Sequence, residues 1–262
     1  MIAGASNGEV VLSVRNLCVG RGTTNILEGV SFEVIDRLRA GRTTGQIVSL
    51  LGRSGAGKTT LLRALAGLDR PRRGEIRALF ELDPRHVGIV FQDYPLLAHR
   101  TVRDNLVLAG TMGGLSAERA HRRANELLER IGLESRASAY PAQLSGGQRQ
   151  RVAIVQQLVL PRRVLLLDEP FSGLDPVAVD DVCALVTEVA NEHELNTMIV
   201  VTHDVRAAIR VSDTLLLLGR RPHGARILGQ YDLVELGLAW NEGTPAQAEA
   251  LQREIEARFR EL

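Results

Sequence analysis

Residues 47 to 68 read IVSLLGRSGAGKTTLLRALAGL, in which a short apolar run, a glycine-rich loop and a helical pattern follow one another directly. The loop GRSGAGKT (52 to 59) fits G-x-x-x-x-G-K-[ST] at each fixed position, and it lies between a predicted strand and a predicted helix. Glycines let such a loop surround a phosphate with backbone N–H groups, and the start of the helix adds its positive end. This stretch, called the phosphate loop below (residues 52 to 59), predicts a P-loop in an α/β fold.

The side chains of the phosphate loop have predicted roles. Lys58 is expected to reach the β and γ phosphates, and Thr59 is expected to ligate Mg²⁺. The alternative is a glycine-rich turn with an incidental lysine, which the strand, loop and helix setting disfavours. The residues predicted to bind the nucleotide here are Gly52, Arg53, Ser54, Gly55, Ala56, Gly57, Lys58, Thr59 and Thr60.

The stretch VLLLDEP (164 to 170) predicts the second half of a phosphoryl-transfer site. A buried strand ends in Asp168, which is placed to hold Mg²⁺, usually through water, and Glu169 follows where its carboxylate faces an attacking water. Taken alone, a strand that ends in acidic residues is usually a solvated strand end. Phosphoryl transfer needs such groups for positioning and charge neutralisation, so their pairing with the phosphate loop indicates a shared site.

Short apolar runs recur at 87 to 91, 164 to 168 and 198 to 202. Strands without a polar face are covered on both sides, as in the parallel sheet of an α/β protein. Ligands of such sheets collect beyond the carboxyl ends of the strands. The residues of the polar elements expected at that edge are Gly52, Gln92, Asp168 and His203. His203 alone would more often be a structural histidine.

Two further regions surround this predicted core. Residues 9 to 19 and 26 to 34 are rich in β-branched side chains with turn residues between them, which predicts an antiparallel sheet. Residues 93 to 143 predict a mostly helical insertion, in which Ser116 caps a helix.

The C-terminal region predicts one more helix. TPAQ (244 to 247) is typical of a capping box with proline at the first helical position. Leu251, Ile255 and Phe259 mark one apolar face, which is expected to pack on the core, with docking of a partner as the alternative. We therefore expect a single domain over residues 1 to 240 and a C-terminal helix within 241 to 262.

LSGGQ (144 to 148) opens another predicted helix, so a second glycine-rich helix start suited to an anion is present. One nucleotide does not need two such cradles. The economical explanation is a head-to-tail dimer, in which this segment of one copy closes over the γ-phosphate held by the other copy. The alternative is a capped surface helix. The residues of this second binding prediction are Ser145, Gly146, Gly147 and Gln148.

Because these motifs occur together, the sequence resembles the nucleotide-binding subunits of ATP-binding cassette (ABC) transporters over about residues 9 to 235. GRSGAGKT looks like the Walker A loop, VLLLDEP like Walker B with its catalytic glutamate, and LSGGQ like the family signature. FQDY with Gln92 looks like the Q-loop, SGLD (172 to 175) like the D-loop, and VTHD with His203 like the switch histidine.

The resemblance implies a P-loop NTPase core with a mostly parallel sheet, an N-terminal antiparallel β subdomain and an inserted α-helical subdomain, whose groove receives a coupling helix of the partner. It implies that Glu169 polarises the attacking water and that His203 contacts the γ-phosphate. It also implies that Gln92 senses the metal, the water and the membrane partner. The implied cofactors are ATP and Mg²⁺, with Lys58 among the catalytic residues, Thr59, Gln92 and Asp168 around the metal, and Asp175 at the nucleotide.

Three features depart from the family pattern. The family stacks an aromatic ring on adenine in the turn between the first two strands, but CVGRGTTN (18 to 25) contains none, so either Arg21 stacks there or Val19 merely packs. The basic loop at 36 to 46 is longer than the turn usual at that point, and it is either solvated or faces lipid or a partner. Gln156 stands where the family commonly has arginine.

Composition limits the function classes. Lysine and arginine total 32 against 31 acidic residues, and the net charge of +1 predicts no nucleic-acid footprint. Cys18 and Cys183 are too few for a disulfide framework or a zinc cluster. No apolar run approaches a bilayer span, and MIAGASNGEV lacks the features of a secretion signal, so we expect neither a membrane span nor secretion.

The leading functional hypothesis is a transport ATPase on the cytoplasmic face of the cell membrane. Its expected partners are transmembrane permease subunits, a second copy or a homologous cassette, and a solute-binding protein, with no nucleic acid. FQDYPLLAHRTVRDNL and DEPFSGLDP resemble importer cassettes of the nitrate and sulfonate group. Lipid-trafficking and export cassettes share many of these features, and a soluble cassette ATPase acting on DNA or ribosomes is the further alternative.

Overall fold

The computed structural model describes residues 7–37, 45–84, 86–191 and 197–260. Within these ranges the strands join into one sheet. They are β1 (Asn7–Arg21), β2 (Thr24–Arg37), β3 (Gln46–Leu51), β4 (Arg73–Ala78), β5 (Val87–Val90), β6 (Val164–Asp168), β7 (Thr197–Thr202), β8 (Thr214–Arg221) and β9 (Gly224–Asp232). Their order across the sheet is β4-β1-β2-β9-β8-β3-β7-β6-β5.

The parallel half of the sheet consists of β8, β3, β7, β6 and β5. Every residue of β3, β6 and β7 is buried, as expected for strands covered on both faces. The predicted mostly parallel core is therefore confirmed. The carboxyl ends of β3, β5, β6 and β7 lie at one edge and lead directly into the predicted polar residues.

The antiparallel half of the sheet consists of β4, β1 and β2, which confirms the predicted N-terminal antiparallel subdomain. It meets the core where Leu27 of β2 pairs with Ala225 of β9. β9 in turn runs antiparallel to β8. The strands β4, β8 and β9 are not among those predicted from the sequence.

Helices cover both faces of the parallel strands. They are α1 (Lys58–Leu65), α2 (Val102–Met112), α3 (Ala117–Arg130), α4 (Gly146–Gln157), α5 (Pro176–Ala190), α6 (Val205–Val211) and α7 (Pro245–Arg260). Leu61, Leu62 and Leu65 of α1 pack on one face together with Val48 and Val201. Neighbouring strand residues such as Ile47 and Val200 point to the other face, where α5 packs. Burial of each of these leucines contributes about 1.5 to 3 kcal/mol to the stability of the fold. This packing holds β3 and β7 beside α1.

The helical insertion contains α2 and α3, as predicted. Ser116 caps α3, because its hydroxyl accepts a hydrogen bond from the Arg119 N–H at 3.3 Å. Asn105 of α2 is fully buried, and its Oδ1 accepts from the Leu97 N–H at 2.7 Å. Gln156 of α4 donates to the Asn105 carbonyl at 3.2 Å, so this departure from the family pattern joins α4 to the insertion.

The C-terminal helix begins at Pro245 with the predicted capping box. Thr244 and Gln247 exchange hydrogen bonds between side chain and backbone. Leu251 and Ile255 are buried in a cluster that includes α6, so the apolar face packs on the core. None of the described helices is long and apolar enough to span a membrane. Residues 38–44 of the predicted basic loop lie outside the described residues.

Candidate active site

The phosphate loop leaves the start of α1 free for a ligand. Gly57, the N-cap of α1, has φ 95° and provides no side-chain cap. A Cβ on Gly57 would lie 3.0 Å from side-chain carbons of Ile26 and Leu27, and a Cβ on Gly52 would lie 2.8 Å from the Leu218 carbonyl oxygen. Both glycines are therefore needed by close packing. The uncapped N–H groups of this helix start form a favourable site for an anion.

Lys58 is buried and held among acceptors. Its Nζ donates to the carbonyl oxygens of Gly52 at 2.8 Å and Arg53 at 3.3 Å. It also lies 3.1 Å from Oε1 of Glu169, and the two side chains are only 7% and 10% exposed. The lysine predicted from the phosphate loop and the glutamate predicted from the buried strand thus form one ion pair.

Glu169 also contacts the third predicted catalytic residue. Its Oε2 accepts from the His203 backbone N–H at 3.2 Å and lies 2.8 Å from the ring Nδ1. Glu169 has φ 50°, an uncommon conformation for a residue with a side chain, and its N–H donates to the Val201 carbonyl at 2.7 Å. The backbone is therefore strained here, and the carboxylate lies between Lys58 and His203.

One carboxylate oxygen of Asp168, Oδ1, is buried without a hydrogen-bond partner among the described residues. Burial raises the pKa of this carboxyl group, while a hydrogen bond with the Thr59 side chain lowers it. An unpartnered buried carboxylate oxygen beside a threonine hydroxyl fits a small divalent cation, since Mg²⁺ takes oxygen ligands and is usually held by one or two carboxylates together with phosphates.

Many of the predicted site residues line one cleft of about 710 Å³, whereas Gly52, Asp168 and His203 are not among its lining residues. Those lining it are Ser54, Gly55, Ala56, Gly57, Lys58, Thr59, Thr60, Gln92 and Glu169. Arg53 lines a neighbouring cavity of about 250 Å³, which is also lined by Ser54, Gly55 and Ala56 of the phosphate loop. The cleft is also bordered by Val19, Gly20, Thr24, Asn25 and Ile26 of β1 and β2.

The residues of the signature segment (144 to 148) lie elsewhere on the chain and do not line this cleft. Ser145 is exposed, its hydroxyl accepts from the Gln148 N–H at 3.3 Å, and the Gln148 side chain accepts from the Ser145 N–H at 3.0 Å. Gly146 is exposed, whereas a Cβ on Gly147 would lie 2.9 Å from that of Ala178.

Asp175 has a structural position of its own. It is the N-cap of α5, where its carboxylate accepts from the N–H groups of Val177 and Ala178 at 3.0 Å. Leu174, directly before it, lies against Gly146, so the D-loop and the signature segment are neighbours on the same surface. In a single chain, these two segments are separate from the cleft lined by the phosphate loop.

Sequence reasoning missed three residues at the site. The Tyr94 hydroxyl donates to the Glu169 carbonyl at 3.3 Å, and burial, with Glu169 and Asp168 nearby, raises the pKa of Tyr94 to about 12. Arg220 and Arg221 line the cleft from the end of β8. The signals in the sequence were the tyrosine two positions after Gln92 and the apolar run 215 to 218. The side chain of Arg21 lies outside the described part of the chain.

Comparisons with known proteins agree with this geometry. A family model described as ABC transporter matches residues 35–172, more than half of the chain. The methionine import ATP-binding protein MetN of Rhizobium johnstonii is 35% identical over 94% of this chain and 66% of its own length. The L-cystine transport system ATP-binding protein TcyN of Escherichia coli is 36% identical over 79% of this chain and 86% of its own length. Against the sulfate/thiosulfate import ATP-binding protein CysA of Mesostigma viride, 38% identical, the chain spans only 55% of the relative's length.

Solved structures give the same result. The dimeric structure of MJ0796, a bacterial ABC transporter cassette, superposes with a TM-score of 0.70 and 29% identity over 85% of this chain and 98% of that one. CbiO1 from Clostridium perfringens, part of the ABC transporter complex cbiONQ, superposes with a TM-score of 0.74 and 26% identity over 93% and 99%. This chain belongs to the ABC transporter family and has the fold of its ATP-binding cassette.

Proposed function

We propose that this protein is the ATP-hydrolysing subunit of an ABC importer and drives solute uptake through a separate transmembrane permease. The observation that supports this most directly is the group formed by Lys58, Glu169 and His203 beside an uncapped helix start. A phosphate held by the loop would meet a buried cation, a carboxylate and an imidazole at the same point.

Nucleotide binding begins with an exchange at Lys58. Its Nζ is occupied by Glu169 and two loop carbonyls, so the γ-phosphate competes with the carboxylate for the same cation. Once Lys58 turns to the phosphate, Glu169 is free to accept a proton from the attacking water. The two contacts from His203 keep that carboxylate oriented. The catalytic power of such a site is positioning and charge neutralisation.

The metal assignment follows from the donors present. Thr59 and Asp168 would hold Mg²⁺, with Gln92 in the same cleft. The bound ion would neutralise charge on the β and γ phosphates. The proton-accepting step belongs to Glu169, and Tyr94, which stays protonated, donates to the Glu169 carbonyl and holds the backbone of that residue.

The signature segment would act on a second copy. Ser145 is exposed and separate from the cleft of its own chain, so its hydroxyl is available to the γ-phosphate bound by a partner. Asp175 lies on the same surface and would face that partner. Two nucleotides would then lie between two chains, and closure and reopening of the dimer would move the permease between its two states.

The direction of transport is argued from the relatives. MetN and CysA are named as import proteins, and TcyN as part of a cystine transport system. On that basis we assign this chain to import, at the cytoplasmic face of the cell membrane, with a permease and a solute-binding protein as partners. Its cargo is recognised by those partners.

The test is retention of partners by a trapped variant. Glu169→Gln protein with ATP is used to capture chains from detergent-solubilised membranes of its host, and Lys58→Ala protein treated alike is the control. A multi-span permease retained only by Glu169→Gln supports the proposal, and a co-retained solute-binding protein supports import. Ribosomal or DNA-repair proteins in place of a permease contradict it. So does a purified protein without Mg²⁺-dependent ATP hydrolysis.

A further inference from the structure

The nucleotide cleft has no aromatic ring along its described lining. Where β1 and β2 border the cleft, its walls are Val19, Gly20, Thr24, Asn25 and Ile26. A purine base is a flat π system that is stabilised by stacking on another planar group. If the proposed function holds, the base needs a planar partner, and none of these five residues carries an aromatic ring or a guanidinium.

The end of β8 also lines this cleft. It runs parallel to β3, with Leu217 beside Leu51, and then continues past the end of β3. The Leu218 carbonyl lies against Gly52, where the phosphate loop begins. β8 is therefore one more strand whose carboxyl end reaches the ligand edge of the sheet, and it places Arg220 and Arg221 there.

The turn after β8 is held between the phosphate loop and β2. Arg221 pairs with Gly224, and the next residue, Ala225, pairs with Leu27 of β2. Gly224 is buried with φ 134°, and a Cβ there would lie 2.9 Å from Glu28 Cβ, so no larger residue fits. This anchoring puts Arg221 beside the part of the cleft that β1 and β2 border. Arg220 points toward the phosphate loop, since it also lines the cavity with Arg53 and Ser54.

Three other cations line the cleft, of which Lys58 and Arg63 are paired with carboxylates, whereas Arg70 is exposed like Arg220 and Arg221. Lys58 is paired with Glu169, and Arg63 is paired with Asp69 at 2.9 Å. Arg220 and Arg221 are exposed, and no hydrogen bond or ion pair engages their side chains within the described residues. A guanidinium is planar, always charged and weakly hydrated, and it stacks on aromatic faces.

We propose that Arg221 stacks on the purine base of the bound nucleoside triphosphate, so that the turn between β8 and β9 does the work of the missing aromatic ring. Arg220 lies next to Arg221, on the side of the phosphate loop. Stacking by a guanidinium does not distinguish the edges of adenine and guanine. The protein is therefore expected to bind ATP and GTP with similar affinity.

The experiment compares a nucleotide with its phosphate chain alone. Affinities for ATP and for inorganic tripolyphosphate are measured by calorimetry on wild-type, Arg221→Ala and Arg221→Lys protein. Arg226→Ala, an exposed arginine of β9 outside the cleft, is the matched control. Arg70→Ala removes another cation that lines the same cleft and so tests the effect of charge alone.

Arg221→Ala should weaken ATP about 3- to 30-fold and leave tripolyphosphate unchanged. Arg221→Lys should fall between, because it keeps the charge and loses the plane. Equal losses for ATP and tripolyphosphate, or equal losses in Arg70→Ala, would show a charge effect and overturn the stacking assignment. A loss in Arg21→Ala with none in Arg221→Ala would return the role to the first turn. Wild-type protein that binds no ATP would instead refute the proposed function itself.

Discussion

The phosphate loop and the signature segment are both glycine-rich helix starts, yet they cap the N-termini of their helices differently. Gly57 gives α1 no side-chain cap, whereas Ser145 and Gln148 cap α4 reciprocally. Lys58 beside the first is buried and engaged, while Ser145 at the second is exposed. The first start is therefore prepared for a ligand within its own chain. The second is stable without one, and its hydroxyl still has a hydrogen to donate to a phosphate from outside.

The largest effect is expected at the phosphate loop itself. Lys58→Ala should abolish ATP turnover and weaken ATP by about 100-fold, because a charged contact to the phosphates is lost. It should also lower the free energy of unfolding by about 3 kcal/mol, since Glu169 keeps a buried charge without its cation. Turnover and thermal unfolding are the measurements.

A second variant separates these two consequences. Adding Glu169→Gln to Lys58→Ala should restore the stability, because the unpaired charge is gone, and should not restore turnover. Stability unchanged in both proteins would mean that the ion pair contributes nothing to the fold. Turnover close to wild type in Lys58→Ala would show that the phosphates bind elsewhere.

Glu169→Gln is expected to have the next largest effect. Hydrolysis should fall about 10²- to 10⁴-fold, as for loss of a general base. ATP binding should persist and become tighter, because Lys58 no longer has a carboxylate to leave. The variant should elute as a dimer from a sizing column with ATP and as a monomer without it. If ATP binding weakens instead, the γ-phosphate does not compete with the Glu169 carboxylate for Lys58.

The phosphate loop and the polar strand ends were predictable from sequence, whereas Tyr94, Arg220 and Arg221 were not, for a physical reason. The loop at 52 to 59 and the strand end at 168 are local patterns whose chemistry does not depend on distant residues. Tyr94 meets Glu169 across 75 positions, a contact that no local pattern indicates. Arg221 was missed because β8 was not recognised as a strand, although its apolar run resembles those of β6 and β7.

Asp168→Asn should change activity and stability in opposite directions. Turnover should be lost, because the oxygen that fits the cation loses its charge. Without nucleotide, the variant should be at least as stable as wild type at neutral pH, because burial raises the pKa of this carboxyl group and its ionised form therefore opposes folding. Thermal unfolding without nucleotide and Mg²⁺-dependent turnover check the two halves.

The raised pKa of Asp168 also predicts how the stability of the protein changes with pH. With a folded pKa above the ordinary 3.8, the folded state binds more protons than the unfolded state across that interval. Wild-type stability should therefore fall as pH rises from 3.8 through the raised pKa, and Asp168→Asn should not show that component. A variant that is less stable than wild type at neutral pH would mean that the carboxylate has a partner that favours its charge.

The smallest expected effect tests the signature segment. Ser145→Ala should cost about 1 kcal/mol of stability by loss of the cap, and should slow turnover about tenfold by loss of a hydroxyl that reaches the partner's phosphate. Ser116→Ala is the matched control, since Ser116 caps α3 with the same 3.3 Å contact at a surface away from the signature segment. If both variants lose the same stability and only Ser145→Ala loses turnover, the signature hydroxyl acts in catalysis as well as in capping. Equal turnover in both would leave the signature segment a capped surface helix, and the head-to-tail dimer would lose its main support.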